Sequence, residues 1–186
     1  MVYLAGGGDE KDSALLDREF ARRLAGKRML YLPIAMDGMS STCDECYAWM
    51  LRVFKAFGIQ DIVMWHSLFS KSKSDLQAFD AVYIGGGNVL GKDISTCAVM
   101  DSNEVGLIDT HGLGLTGSYS IWCHYVPWEH DGLIAQLHDP IIAMPERSGL
   151  LFDGSTLSVV GTDSITIFDD KSQEVLLPGH TVLISV

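Results

Sequence analysis

The stretch Val82-Tyr83-Ile84-Gly85-Gly86-Gly87-Asn88 decides how this chain is read. A short apolar run that ends in three glycines reads as a buried strand feeding a tight turn. At such a turn the backbone bends sharply and its N–H groups aim at one point. Working outward, the same grammar recurs towards the N-terminus. Val2 to Ala5 is an apolar run stopped by Gly6-Gly7-Gly8. A helical pattern then begins at Asp9, with Leu15, Leu16, Phe20 and Leu24 on one stripe and Gly26 closing it. Met29 to Ile34 reads as a second strand, followed by the loop Asp37-Gly38-Met39-Ser40-Ser41. A second helix runs through Tyr47, Met50, Leu51 and Phe54 to Gly58, and Ile59 to Trp65 is a third strand. Leu76 and Phe79 end a short helix or turn, and Ala81 to Ile84 is the fourth strand. Alternating strands and helices of this kind predict a parallel sheet with helices on its faces.

Beyond Asn88 the texture changes. Ile141 to Met144, Leu150 to Asp153, Thr156 to Val160, Ser164 to Asp169 and Thr181 to Val186 are short β-rich runs separated by Asp-Gly, Gly-Thr and Asp-Asp turns. The expected class is α/β, with a mostly parallel sheet flanked by helices in the N-terminal half and a strand-rich, antiparallel C-terminal part. No repeat or linker divides the sequence, so residues 1–186 are expected to form a single domain.

Composition narrows the function. With 186 residues, 47% of them hydrophobic, the chain can bury a full core without disulfide or metal staples. A formal net charge of -11 repels phosphate backbones and anionic lipid, which argues against nucleic acid and membrane partners and leaves small molecules or peptides. The first residues carry no basic flank and no apolar run of signal length, so a cytoplasmic location is expected. Cys43 and Cys46 form a lone C-x-x-C, read either as two thiols on a helix face or as a redox or metal pair. Cys97 and Cys123 read as buried thiols.

Neither glycine cluster fits a dinucleotide fingerprint or a P-loop, because no third glycine or Gly-Lys-Ser/Thr follows at the required spacing. The first reads as a plain strand-to-helix turn. The second, VYIGGGN, resembles the oxyanion-hole motif of the peptidase E and cyanophycinase family of serine peptidases. Three further stretches match in order: Met100-Asp101 in CAVMDSNE, His124 in SIWCHYVP and Glu146 in AMPERSGLLFDG. The resemblance covers nearly the whole chain and implies a serine-type hydrolase of small peptides that needs no cofactor. It implies that Gly86 and Gly87 donate to the oxyanion, that Asn88 lies on the substrate side, that Asp101 is a conformational or substrate-side carboxylate, that His124 is the general base and that Glu146 orients it. A base of this kind must titrate near neutral pH, and a carboxylate fixes its tautomer. Without the resemblance, His124 reads as a core or surface histidine beside Trp122, Tyr125 and Trp128, and Glu146 as a solvated carboxylate paired with Arg147. His66, His111, His130, His138 and His180 read as surface or structural residues.

The pattern breaks at one place. The family carries its serine in a G-x-S-A-G elbow, and no G-x-S-x-G occurs here. VYIGGGN runs directly into VLGKDIST, so a βα unit and the following strand, on the order of 30 residues, are missing between Asn88 and Val89 relative to the family. A parallel crossover needs a dozen or more residues, and only a handful separate Ile84 from the next strand-like run at Lys92 to Thr96. Ser118 and Ser120 lie near His124 but lack an elbow, and Ser95 and Ser148 are no better placed. The alternative to an active peptidase is therefore an inactive homologue serving as a binding or assembly module. An open sheet edge would then invite pairing with a second copy in a homodimer.

Overall fold

The computed structural model describes residues 1–24, 26–33, 42–85, 89–100, 106–169 and 172–183. They group into two compact units, one of Met1–Leu16 with Asn88–Val186 and one of Asp17–Gly87. The architecture is α/β, with one parallel sheet and two largely antiparallel ones.

The Asp17–Gly87 unit is built on three parallel strands, β2 (Arg28–Leu32), β3 (Asp61–Met64) and β4 (Ala81–Ile84), in the order β3-β2-β4. The central strand is buried from Met29 to Leu32, which is why it reads as a continuous apolar run and does not alternate. Helix α2 (Cys43–Ala56) opens on a capping box, with the Thr42 hydroxyl accepting from the Glu45 N–H and the Glu45 carboxylate accepting from the Thr42 N–H. It buries Cys46, Met50, Val53 and Phe54 at helical spacing, and Gly58 follows with φ of 86°. Phe20, from helix α1 (Ala14–Leu24), Phe54 and Tyr83 meet edge to face at 5.5 to 6.3 Å in this core. A single-turn helix, α3 (Lys73–Leu76), precedes β4.

The other unit holds two four-stranded sheets. In one, β1 (Val2–Ala5), β7 (Ser148–Phe152), β8 (Thr156–Gly161) and β11 (Thr181–Leu183) run antiparallel in that order. In the other, the order is β10 (Ser172–Leu176), β9 (Ile165–Asp169), β6 (Ile141–Ala143) and β5 (Ser120–Trp122), with β5 and β6 parallel and the remaining pairs antiparallel. Leu4, Ile142, Met144, Leu150, Leu157, Val159 and Ile165 fill the core. Helix α4 (Pro127–Ile134) follows β5.

Three local expectations change. The first helix starts at Ala14 and not at Asp9, because the Asp9 carboxylate accepts the N–H groups of Lys11 (2.7 Å) and Asp12 (3.2 Å) and holds a turn there. Strand β1 pairs antiparallel with β7, Val2 opposite Phe152 and Leu4 opposite Leu150, so the parallel sheet contains β2, β3 and β4 without it. Lys92 to Thr96 is not a strand. The Asp93 carboxylate accepts the Ser95 N–H at 2.7 Å and a 3-10 turn follows over Ser95–Val99, which leaves only a single bridge from Asp93 to His111.

Candidate active site

Strands β5 and β6 are parallel neighbours, with Trp122 opposite Ala143, so the segments after them leave the sheet side by side at its C-terminal edge. Ligand sites of open α/β sheets form at such an edge. His124 comes from the first segment and Glu146 from the second. His124 Nδ1 lies 3.1 Å from Glu146 Oε1, which leaves Nε2 as the ring atom without that partner. Both side chains are more than half exposed, so a substrate can reach them.

The backbone beneath the histidine is strained. His124 has φ of 53°, in the left-handed region that costs a non-glycine residue on the order of 1 kcal/mol. It is held there by its own N–H, which donates to the Gly6 carbonyl at 2.8 Å. The N–H of Tyr125 donates to Met144 O, and the N–H of Met144 donates to Trp122 O, lacing the two strand ends together. The Gly6 N–H in turn donates to Ser148 O.

These contacts give the first glycine cluster a role that the sequence reading as a plain turn missed. A Cβ at Gly6 would stand 1.8 Å from the Pro145 carbonyl oxygen, and a Cβ at Gly7 would stand 2.2 Å from His124 Cε1. Gly7 also has φ of 107°. The glycines are therefore the floor on which the imidazole and the Pro145-Glu146 backbone rest. Three glycines after a strand signalled a turn; that a ring would lie on it depended on a residue more than a hundred positions away.

Arg147, which might have claimed Glu146 by sequence adjacency, instead binds Asp163 through Nη2 (2.9 Å) and Nε (3.3 Å). An open cleft of about 810 Å³ surrounds the pair, lined among others by Asp12, Trp128, Arg147, Asp163 and Ser164. Ser118 lines a separate cleft. Ser120 is fully buried with no partner for its hydroxyl among the described residues, and Ser148 is buried with its hydroxyl donating to Pro145 O at 2.7 Å. Ser95 stands exposed in the 3-10 turn. Gly86, Gly87, Asn88 and Asp101 lie outside the described residues.

Of the other histidines, His130 is structural. It is buried, and its Nδ1 accepts from Trp122 Nε1 (3.2 Å) and from the Val126 N–H (3.0 Å). His66, His111, His138 and His180 are exposed. The ion-pairing carboxylate of Asp109, 2.8 Å away, raises the pKa of His111, and that hydrogen bond lowers the pKa of Asp109. Burial pushes up the phenol of Tyr125, which donates to Asp131. Cys43 and Cys46 are free thiols on α2, the second buried; Cys123 is half-buried and not fully buried as expected, with its Sγ 3.7 Å from the Ala5 carbonyl, and the Cys97 side chain lies outside the described residues. Among the described residues, no group of three or more His, Cys, Asp or Glu is arranged to hold a metal ion, and no helix is long and apolar enough to cross a membrane.

No family model matches the sequence, and no curated protein matches it. Solved structures do match. A crystal structure of a protein described as peptidase E from Listeria monocytogenes EGD-e superposes with a TM-score of 0.67 at 16% identity, over 87% of this chain and 98% of that one. A peptidase from an acI-B1 Actinobacterium gives a TM-score of 0.63 at 15% identity, over 98% of this chain and 96% of that one. At such low identity the likeness is one of fold, and it extends over nearly the full length of both chains. The chain therefore has a peptidase E-like fold.

Proposed function

We propose that this protein is a serine-type hydrolase of small peptides, with His124 as general base and Glu146 as the carboxylate that orients it, acting as one 186-residue domain in the cytoplasm. The observation that carries the reading is the 3.1 Å contact between His124 Nδ1 and Glu146 Oε1 on a left-handed histidine seated against Gly7. Strain held by surrounding contacts is a mark of functional positions.

In this reading, His124 Nε2 takes the proton of a seryl hydroxyl as that oxygen attacks the scissile carbonyl. The proton passes to the leaving amine as the C–N bond breaks, and water then hydrolyses the acyl ester with the same base. Gly86 and Gly87 would donate to the oxyanion, with Asn88 on the substrate side and Asp101 a conformational or substrate-side carboxylate, as the resemblance implies. Ser164 is a seryl residue lining the cleft of His124.

A second reading has its own observation behind it. No G-x-S-x-G elbow is present anywhere in the sequence, which favours an inactive homologue that keeps the cleft as a binding or assembly surface, including as a homodimer.

One experiment separates the two readings. The protein is incubated with a panel of short peptides and, in parallel, with a fluorophosphonate, and the adduct is mapped by mass spectrometry. Peptide cleavage with an adduct on a serine is the expected result. Cleavage without an adduct would remove the serine from the reading, and neither signal would leave the binding module.

A further inference from the structure

We infer that the His124 cleft takes a substrate group that carries positive charge, with the indole of Trp128 as the face on which that group rests. The inference rests on the reading of this cleft as a substrate site and adds to it a class of substrate. Trp128 is the second residue of α4 and lines the same cleft as the dyad, yet it is 85% exposed. A tryptophan side chain has the largest apolar surface of any residue. One left in water at the rim of a cleft is a docking surface awaiting a partner, and its π-face attracts cations.

The charge around the indole points the same way. Asp12, Glu146 and Asp163 bring three carboxylates to the cleft against one guanidinium, that of Arg147, and Asp163 already engages it at 2.9 Å. His124 Nδ1 is taken by Glu146. Among the described residues that line the cleft, no unengaged lysine or arginine faces it, so an anionic substrate side chain would find no ammonium or guanidinium partner there.

The one opposing feature is the N-terminus of α4, which reaches the cleft through Val126, Pro127 and Trp128 and would favour an anion. Its sequence blunts that tendency. Pro127 has no N–H, the N–H groups of Glu129 and His130 both donate to the Val126 carbonyl, and Glu129 places a carboxylate in the first turn. Only the Trp128 amide remains at that end, too little for an anion cradle.

The test is an NMR titration of the whole protein with Nα-acetyl-arginine amide and, separately, with Nα-acetyl-aspartate amide. The arginine derivative should bind more tightly and weaken as ionic strength rises. Trp128→Ala, at an exposed position that folding does not depend on, should weaken it about two- to fivefold. Equal or tighter binding of the aspartate derivative would overturn the inference, as would a Trp128→Ala protein that binds the arginine derivative as well as the parent does. Binding is read without turnover, so the two claims fail separately. Arginine-derivative binding with no peptide cleavage sinks the hydrolase reading alone, and cleavage of acidic peptides in preference to basic ones sinks this inference alone.

Discussion

The Asp17–Gly87 unit and the unit of Met1–Leu16 with Asn88–Val186 are built by different rules. In the first, most described elements follow their local pattern, with the buried Asp17 of α1 and the left-handed Ser70 (φ of 63°) as exceptions. Strand β2 is a continuous apolar run, α2 is capped by Thr42 and Glu45, and the core is aromatic and aliphatic. In the second, local rules are broken in one small region. His124 is left-handed, Gly6 and Gly7 admit no side chain, and Ser120, His130 and Thr166 are buried polar residues. Such violations gather where function constrains a chain, because packing for stability alone would not keep them. The difference places the candidate chemistry in the second unit, and substitutions can break or sharpen that contrast.

The largest stability effect should come from the first unit. Phe54 is fully buried and meets Phe20, Phe57 and Tyr83 edge to face, so Phe54→Ala should cost about 3 to 5 kcal/mol, read as a lowered denaturant midpoint. Next is Gly7→Ala, where a Cβ would collide with the His124 ring at a φ of 107°. The expected cost is about 1 to 3 kcal/mol, with the distinguishing sign that the His124 imidazole resonances move in an NMR spectrum. His130→Leu leaves the Trp122 indole N–H and the Val126 amide without their acceptor. It should lower stability by about 1 to 3 kcal/mol without displacing those His124 resonances. The smallest effect is expected at Ser120, whose buried hydroxyl has no partner among the described residues. Ser120→Ala should be neutral, or stabilise by less than about 1 kcal/mol, in the same denaturation measurement. A loss of more than that would mean the hydroxyl has a partner that matters.

The same contrast explains what could be read from the sequence. Periodicity and glycine punctuation placed β2, α2, β3 and β4, because these elements answer to their own residues. Strand β1 was legible as a strand, but its antiparallel partner β7 lies about 150 positions away and nothing in Val2 to Ala5 specifies it. Helix α4 was missed because Pro127-Trp128-Glu129-His130 carries little amphipathic pattern, and the short strands β5 and β10 were not delimited. His124 and Glu146 were picked out by resemblance. Their meeting across 22 positions follows from the parallel pairing of β5 and β6, which no local pattern encodes. The supporting role of Gly6 and Gly7 was hidden for the same reason.

The most direct test of the account is the rate of peptide cleavage by the parent protein and by His124→Asn. Asparagine accepts the left-handed backbone, so the substitution removes the base while sparing the turn. The account predicts measurable cleavage by the parent and a loss on the order of 10² to 10⁴ in the variant, at an unchanged unfolding midpoint. A His124→Asn protein that cleaves peptides as fast as its parent, or a parent that cleaves none, would contradict it.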